Sequence, residues 1–232
     1  MITNFTILRV ISLFLVTLLF LGCNKDSLLD EEPIPEGNIS LLINSVTSGN
    51  TPINSESFVL TDAILGIGGI KFNAENQLNN KYDFLGPYQS NIISGISNPD
   101  LGYTILPPNL YSSVSIDMST NLEDSLSSKN MSIIANGKYF PNGVNVYHFV
   151  FKTDEIETIN VVFDDILEVD SNTIYKLSIV FDFSIWFTNE DFSKADISDD
   201  KYILIDKVNN FDLYNKVIER IQNSAHLLKV KM

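Results

Sequence analysis

The chain reads as mainly β, an antiparallel β-sandwich or open barrel with one amphipathic C-terminal helix. Three observations predict this. From Asn38 onward apolar residues recur at every second position, the period of a strand with one buried face. The runs are separated by loops rich in Gly, Pro, Asn and Ser, the residues that turn a chain between strands. One stretch alone, near residue 211, changes to spacings of three and four. Composition agrees: 44% hydrophobic against 19% charged residues supplies enough apolar side chain for a core, which excludes a disordered or collagen-like chain.

The first 22 residues read as a signal peptide. Arg9 is the only basic side chain ahead of a bare apolar run, Val10 to Leu21, and small Gly22 precedes Cys23. That run falls short of the roughly 20 residues a membrane-spanning helix needs. Cys23 is the single cysteine, so no disulfide can form within the chain, and with Cys23 modified no thiol is left for a nucleophile or a thiolate metal site. Residues 23–37, with NKDSLLDEEPIPEG after the cysteine, read as a polar, acidic, proline-bearing tether. Residues 38–232 show no internal repeat and no break in composition, and are expected to form a single domain.

Phe20-Leu21-Gly22-Cys23 resembles a bacterial lipobox, with Phe20 where Leu is usual. The resemblance implies cleavage before Cys23 and a lipid, palmitate among its acyl chains, on that residue. Each buried methylene of such a lipid contributes about 0.8 kcal/mol to anchoring. Lys25-Asp26 and Asp30-Glu31-Glu32 after the cysteine are similar to the acidic tether signals of Bacteroidota surface lipoproteins. This implies an outer-membrane protein, with surface display favoured over periplasmic retention.

Within the body, Asn38 to Val46 alternates Ile39, Leu41 and Ile43 with polar neighbours, and Phe58 to Phe72 reads as extended. Gly66-Ile67-Gly68-Gly69 in that stretch lacks the helix start and Lys-Ser/Thr of a phosphate loop, so it reads as a bulge or bend. Leu110 to Met118 places Ser112, Val114, Ile116 and Met118 on one face, and Tyr111, Ser113, Ser115 and Asp117 on the other. Met131 to Lys138 and Val144 to Lys152 flank Asn142-Gly143, a hairpin signal. Thr173 to Phe187 reads as one long strand with Tyr175, Leu177, Ile179, Phe181, Phe183, Ile185 and Phe187 on a single face. Phe211, Tyr214, Val217, Ile218 and Ile221 form the stripe of the helix, with Asn209-Asn210 as its cap and a packing role on the sheet. His226 to Met232 returns to alternation, with Leu228 and Val230 against Lys229 and Lys231.

The order Phe58-Val59-Leu60-Thr61-Asp62-Ala63, Leu85-Gly86-Pro87-Tyr88 and Leu106-Pro107-Pro108-Asn109-Leu110-Tyr111 is similar to a group of uncharacterised Bacteroidota lipoproteins. That resemblance, over roughly residues 56–187, implies an exported β-sandwich of unknown function and transfers no catalytic residues.

Chemistry is sparse. His148 and His226 are the only histidines, His148 lies in an alternating run, and no Gly-x-Ser-x-Gly elbow surrounds a serine. Asp164, Asp165, Glu168 and Asp170 share one expected loop, and Glu190, Asp191, Asp196, Asp199 and Asp200 another. The second set is a weak candidate for Ca²⁺, although it lacks the twelve-residue calcium-loop pattern, and a solvated acidic loop is the simpler reading. A single Trp and no aromatic ladder in the loops weaken a carbohydrate platform. A net charge of −14 disfavours nucleic acid.

The expectation is a non-catalytic, lipid-anchored binding or assembly protein, held to the membrane through Cys23, with no cofactor and an unidentified protein or ligand partner. Two alternatives stand beside it. One is a fimbrial or adhesin-type subunit, whose Arg-directed leader cleavage would find only Arg9 and Arg220. The other is a hydrolase whose cleft would join Asp164, Asp165 and Asp191.

Overall fold

The structure, a computed structural model, describes residues 38–46, 51–53, 56–75, 81–123, 130–187 and 192–231. Its elements in order are β1 (Ile39–Val46), β2 (Thr51–Ile53), β3 (Glu56–Ala74), β4 (Phe84–Asn91), β5 (Ile96–Asn98), β6 (Tyr103–Thr104), β7 (Asn109–Met118), β8 (Ile133–Phe140), β9 (Tyr147–Thr153), β10 (Thr158–Val169), β11 (Tyr175–Asp182), α1 (Phe183–Trp186), β12 (Tyr202–Ile205), α2 (Phe211–Ile221) and β13 (Ala225–Lys231). They form two sheets. The smaller runs β13-β11-β1-β6, and the larger follows β10-β7-β3-β8-β9-β12 with β2, β4 and β5 attached. One cluster of buried side chains draws from both sheets, as in a β-sandwich.

β3 is the spine. At about 3.3 Å per residue, its 19 residues extend roughly 60 Å, far beyond an ordinary strand. A strand has two hydrogen-bonding edges, and β3 uses both. Ile64 and Leu65 pair with β4 and β8, while Ile67, Gly69 and Ile70 pair with β4 and β7. β7 and β8 therefore lie end to end along the edge opposite β4. The handover falls at Gly66, whose N–H donates to Ser132 O (2.8 Å) and whose carbonyl accepts from Ser119 N (2.9 Å). Gly68 is skipped in the register against both β4 and β7, so the glycine run forms a β-bulge. β10 continues the pairing on β7, and β9 on β8.

Several local expectations hold. Ile39, Leu41 and Ile43 are buried, and β8 and β9 form an antiparallel hairpin joined through a 3-10 turn at Pro141–Gly143. Others need correction. β1 pairs with β11, and β12 with β9, in parallel within an otherwise antiparallel scaffold. The long strand stops at Asp182, whose Oδ1 accepts from the Ser184 N–H (2.9 Å) and turns Phe183–Trp186 into a helical turn. Tyr111 is buried beside Val114 and Ile116 because Ser112 is skipped between the pairs Asn73–Ser113 and Ala74–Tyr111. On β13 the inward residues are Ala225 and Leu227, opposite Phe181 and Ile179, and Leu228 is half exposed. Asn210 precedes α2 in a left-handed conformation (φ 53°) without a side-chain cap. Its amide instead accepts from Asp196 N and donates to Asp196 O and Leu204 O.

Aromatic rings fill one end of the core. Phe58, Phe149, Phe187 and Phe192 meet at centroid distances of 5.1–6.5 Å, and Tyr139 stacks on Phe192 at 4.9 Å. Trp186 is fully buried, and its indole N–H donates to Ser224 Oγ (2.7 Å), tying α1 to the end of α2. Tyr214 fixes α2 to the end of β9. Its hydroxyl bonds Thr153 Oγ1 (2.8 Å) and donates to Glu155 Oε2 (2.7 Å), and burial first, then Glu155, pushes its pKa well up.

Candidate functional site

The pairings of β3, β7 and β10 generate an ordered outer face. Residues paired across strands point to the same side, and three rows result. Asn73, Ser113 and Val162 form the first, Lys71, Ser115 and Asn160 the second, and Gly69, Asp117 and Thr158 the third. Leu85 of β4 extends the third row beyond Gly69. The opposite face of the same strands carries Ile70, Phe72, Val114, Ile116, Ile159 and Val161, all buried. One face is thus given wholly to the core and the other mostly to polar side chains, with Val162 and Leu85 as exposed apolar members.

That outer face is internally wired. Asn73 Nδ2 donates to Ser113 Oγ (3.1 Å) and Ser115 Oγ (2.9 Å), and Ser115 Oγ donates to Asn160 Oδ1 (2.8 Å). Thr158 Oγ1 donates to one oxygen of Asp117 (3.1 Å), and the Tyr82 hydroxyl donates to the other. Losing the phenol proton beside that carboxylate is unfavourable, so the Tyr82 pKa rises.

Tyr82 occupies the place that a side chain on Gly69 would fill. A Cβ at Gly69 would lie 2.6, 2.8 and 2.9 Å from Tyr82 Cδ1, Cγ and Cε1. A point beyond the ring edge would be much farther from the two flanking atoms than from Cδ1. The near-equal distances place Gly69 under the face of the ring, so the ring lies flat on the strand. Tyr82 nevertheless keeps 37% of its surface exposed.

Behind Tyr82, Asp83 ends the β3–β4 ladder. Its Oδ2 accepts from the Phe72 N–H (2.7 Å), a donor that β4 does not reach. Burial raises its pKa, against the lowering effects of that hydrogen bond, Lys81 and Lys71.

No family model, curated protein or solved structure matches this chain. The geometry is therefore read on its own terms.

Cys23, Glu190 and Asp191 lie outside the described residues, as do the expected signal peptide and tether up to Gly37. Asp196, Asp199 and Asp200 are exposed on the segment between a 3-10 turn (Phe192–Lys194) and β12. Among the described residues no three His, Cys, Asp or Glu side chains converge as metal ligands. Asp164 and Asp165 lie in no loop. They sit exposed in β10, where its register against β7 jumps between Val162 and Leu167. A charged bulge there blunts further pairing along the strand.

His148 is exposed on β9 and lines a depression of about 400 Å³ with Thr61, Asn136, Asp200 and Tyr202. His226 lies on β13, in the other sheet. No helix among the described residues is long and apolar enough to cross a membrane.

Sequence reasoning missed Tyr82 altogether. The signal available was the doubled glycine Gly68-Gly69, which was read only as backbone geometry.

Proposed function

We propose that this chain is a lipid-anchored, exported binding or assembly module of the Bacteroidota outer-membrane type, non-catalytic and displayed at the cell surface. The observation that carries the reading is the placement of the only cysteine, Cys23, at the end of the apolar run Val10–Leu21. Its supports are the acidic, proline-bearing stretch after Cys23 and a β-sandwich whose described strands begin at Ile39. The outer face of β3, β7 and β10 supplies a binding surface on rigid strands rather than on loops.

The test is the mature protein itself. Intact mass and detergent partitioning of the wild type should show cleavage before Cys23 and added acyl chains. Cys23→Ala should abolish both and leave the chain in the aqueous phase. A wild-type chain of unmodified mass that partitions into water would overturn the reading.

A further inference from the structure

We propose that the outer face of β3, β7 and β10 binds an uncharged oligosaccharide, with Tyr82 as the platform on which one of its rings stacks. The proposal deepens the binding role above and rests on it, but makes no use of the lipid on Cys23.

The platform comes first. Gly69 lies under one face of the Tyr82 ring, and the residue as a whole stays 37% exposed. The hydroxyl bond to Asp117 stops the ring from swinging off the strand, and Thr158 holds Asp117 in turn. An aromatic plane fixed in this way loses little conformational entropy when something stacks on it. Among the described residues no other aromatic ring packs against Tyr82. Leu85, 71% exposed on the neighbouring strand, extends the apolar area.

Along the same face, one and two rows from Gly69 at about 7 Å per row, stand groups of both hydrogen-bonding senses. Ser115 fixes Asn160 through Oδ1 and is itself fixed by Asn73 through Nδ2. Asn160 Nδ2 and Asn73 Oδ1 have no partner among the described residues, one a donor and the other an acceptor, both held in orientation. Lys71, in the row of Asn160, adds an ammonium donor, and Asp117 adds carboxylate lone pairs. A short run of pyranose units is complementary to such an arrangement, one ring stacking on Tyr82 while its neighbours reach the other rows. Each unit offers one C–H face for stacking and a rim of hydroxyls that each donate and accept.

Other occupants fit less well. A peptide strand would need an open backbone edge, and beside Tyr82, at Gly69 and Ile70, β3 is paired on both sides, to β4 and β7, while the open edge of β10 lies two strands away. A nucleotide or acidic glycan would meet a chain at −14, with Lys71 balanced by Asp117 and no second cation in the three rows. An uncharged ligand avoids that repulsion.

Affinity electrophoresis of the full chain in non-ionic detergent, through gels containing a neutral β-glucan, a mannan or soluble starch, tests the proposal. A pectin gel serves as the polyanionic comparison. The expected result is retardation in at least one neutral gel. Tyr82→Ala should weaken it about tenfold or more, as loss of an aromatic anchor does. Tyr82→Phe keeps the ring and should stay within about threefold of wild type. Asn160→Ala, on the exposed face, should fall between the two without altering the melting temperature. Three results would each overturn the proposal: no retardation in any neutral gel, retardation indifferent to Tyr82→Ala, or stronger retardation in pectin. An unlipidated Cys23 would leave this assay unchanged, so its failure is distinct from failure of the anchor.

Discussion

Gly137 and Gly69 are the same device used on opposite sides of the molecule. Each gives up a side chain so that an aromatic ring can occupy the space. At Gly137 of β8 a Cβ would lie 2.3 Å from Phe149 Cζ and 2.4 Å from Cε1, inside the core. At Gly69 it would meet Tyr82 on the outer face. Phe149 is then enclosed by Phe58, Phe187 and Phe192, whereas Tyr82 stays 37% exposed. A ring enclosed on all sides contributes burial and dispersion to stability. A ring seated on glycine and left open contributes little to the fold, and its constraint is better explained by what it meets.

The comparison is broken most directly at the enclosed ring. Phe149→Ala should cost about 3–5 kcal/mol, because the packed cluster cannot collapse into the space. Urea unfolding checks it, and a loss below about 1 kcal/mol would mean the cluster is loosely packed. A smaller effect is expected at the other end of the core. Tyr214→Phe removes the hydroxyl that joins α2 to Thr153 and Glu155, and should cost about 1–3 kcal/mol. Thermal unfolding measures it, and Thr153→Val combined with Tyr214→Phe should cost less than the sum of the two.

The smallest effect sits beneath the open platform and depends on pH. The Asp83 pKa is raised in the fold, so the folded chain binds this proton more tightly than the unfolded chain does. Its contribution to stability therefore increases as pH falls through the raised pKa, and is complete below the ordinary carboxylate value. Above that window the ionised, part-buried carboxylate works against folding. Asp83→Asn keeps an oxygen for the Phe72 N–H and should be at least as stable as wild type at neutral pH. The difference between the two should shrink towards acid, as followed by urea unfolding across pH 3–8. A variant destabilised equally at every pH would assign Asp83 a role independent of its charge.

Local periodicity carried much of the fold. β1 was legible because Ile39, Leu41 and Ile43 alternate against one buried face, and the glycine run was legible as a bulge because no side chain competes with the bend. The parallel pairings of β1 with β11 and of β12 with β9 were not, since a strand's own period says nothing about a partner far away in sequence. The end of β11 was hidden because Phe183, Ile185 and Phe187 continue the alternation past Asp182, while a single Asp–Ser hydrogen bond turns the chain. The phase of β13 was misread because Ala225 and Leu227 compete with Leu228 and Val230 at equal spacing. The site was least legible. One Trp and no aromatic ladder argue against a sugar platform of several rings, whereas the platform proposed is one tyrosine, Tyr82, seated on a glycine of β3.

Paired stability measurements on Gly137→Ala and Gly69→Ala test the division between enclosed and open rings most directly. Gly137→Ala drives a methyl into Phe149 and the Val59 carbonyl, and should lower unfolding free energy by about 2–3 kcal/mol or more, as overpacking of a core does. Gly69→Ala displaces only a surface ring, and should stay within about 1 kcal/mol of wild type. Equal losses at the two glycines would contradict the account, because Tyr82 would then be holding the fold together rather than standing ready for a ligand.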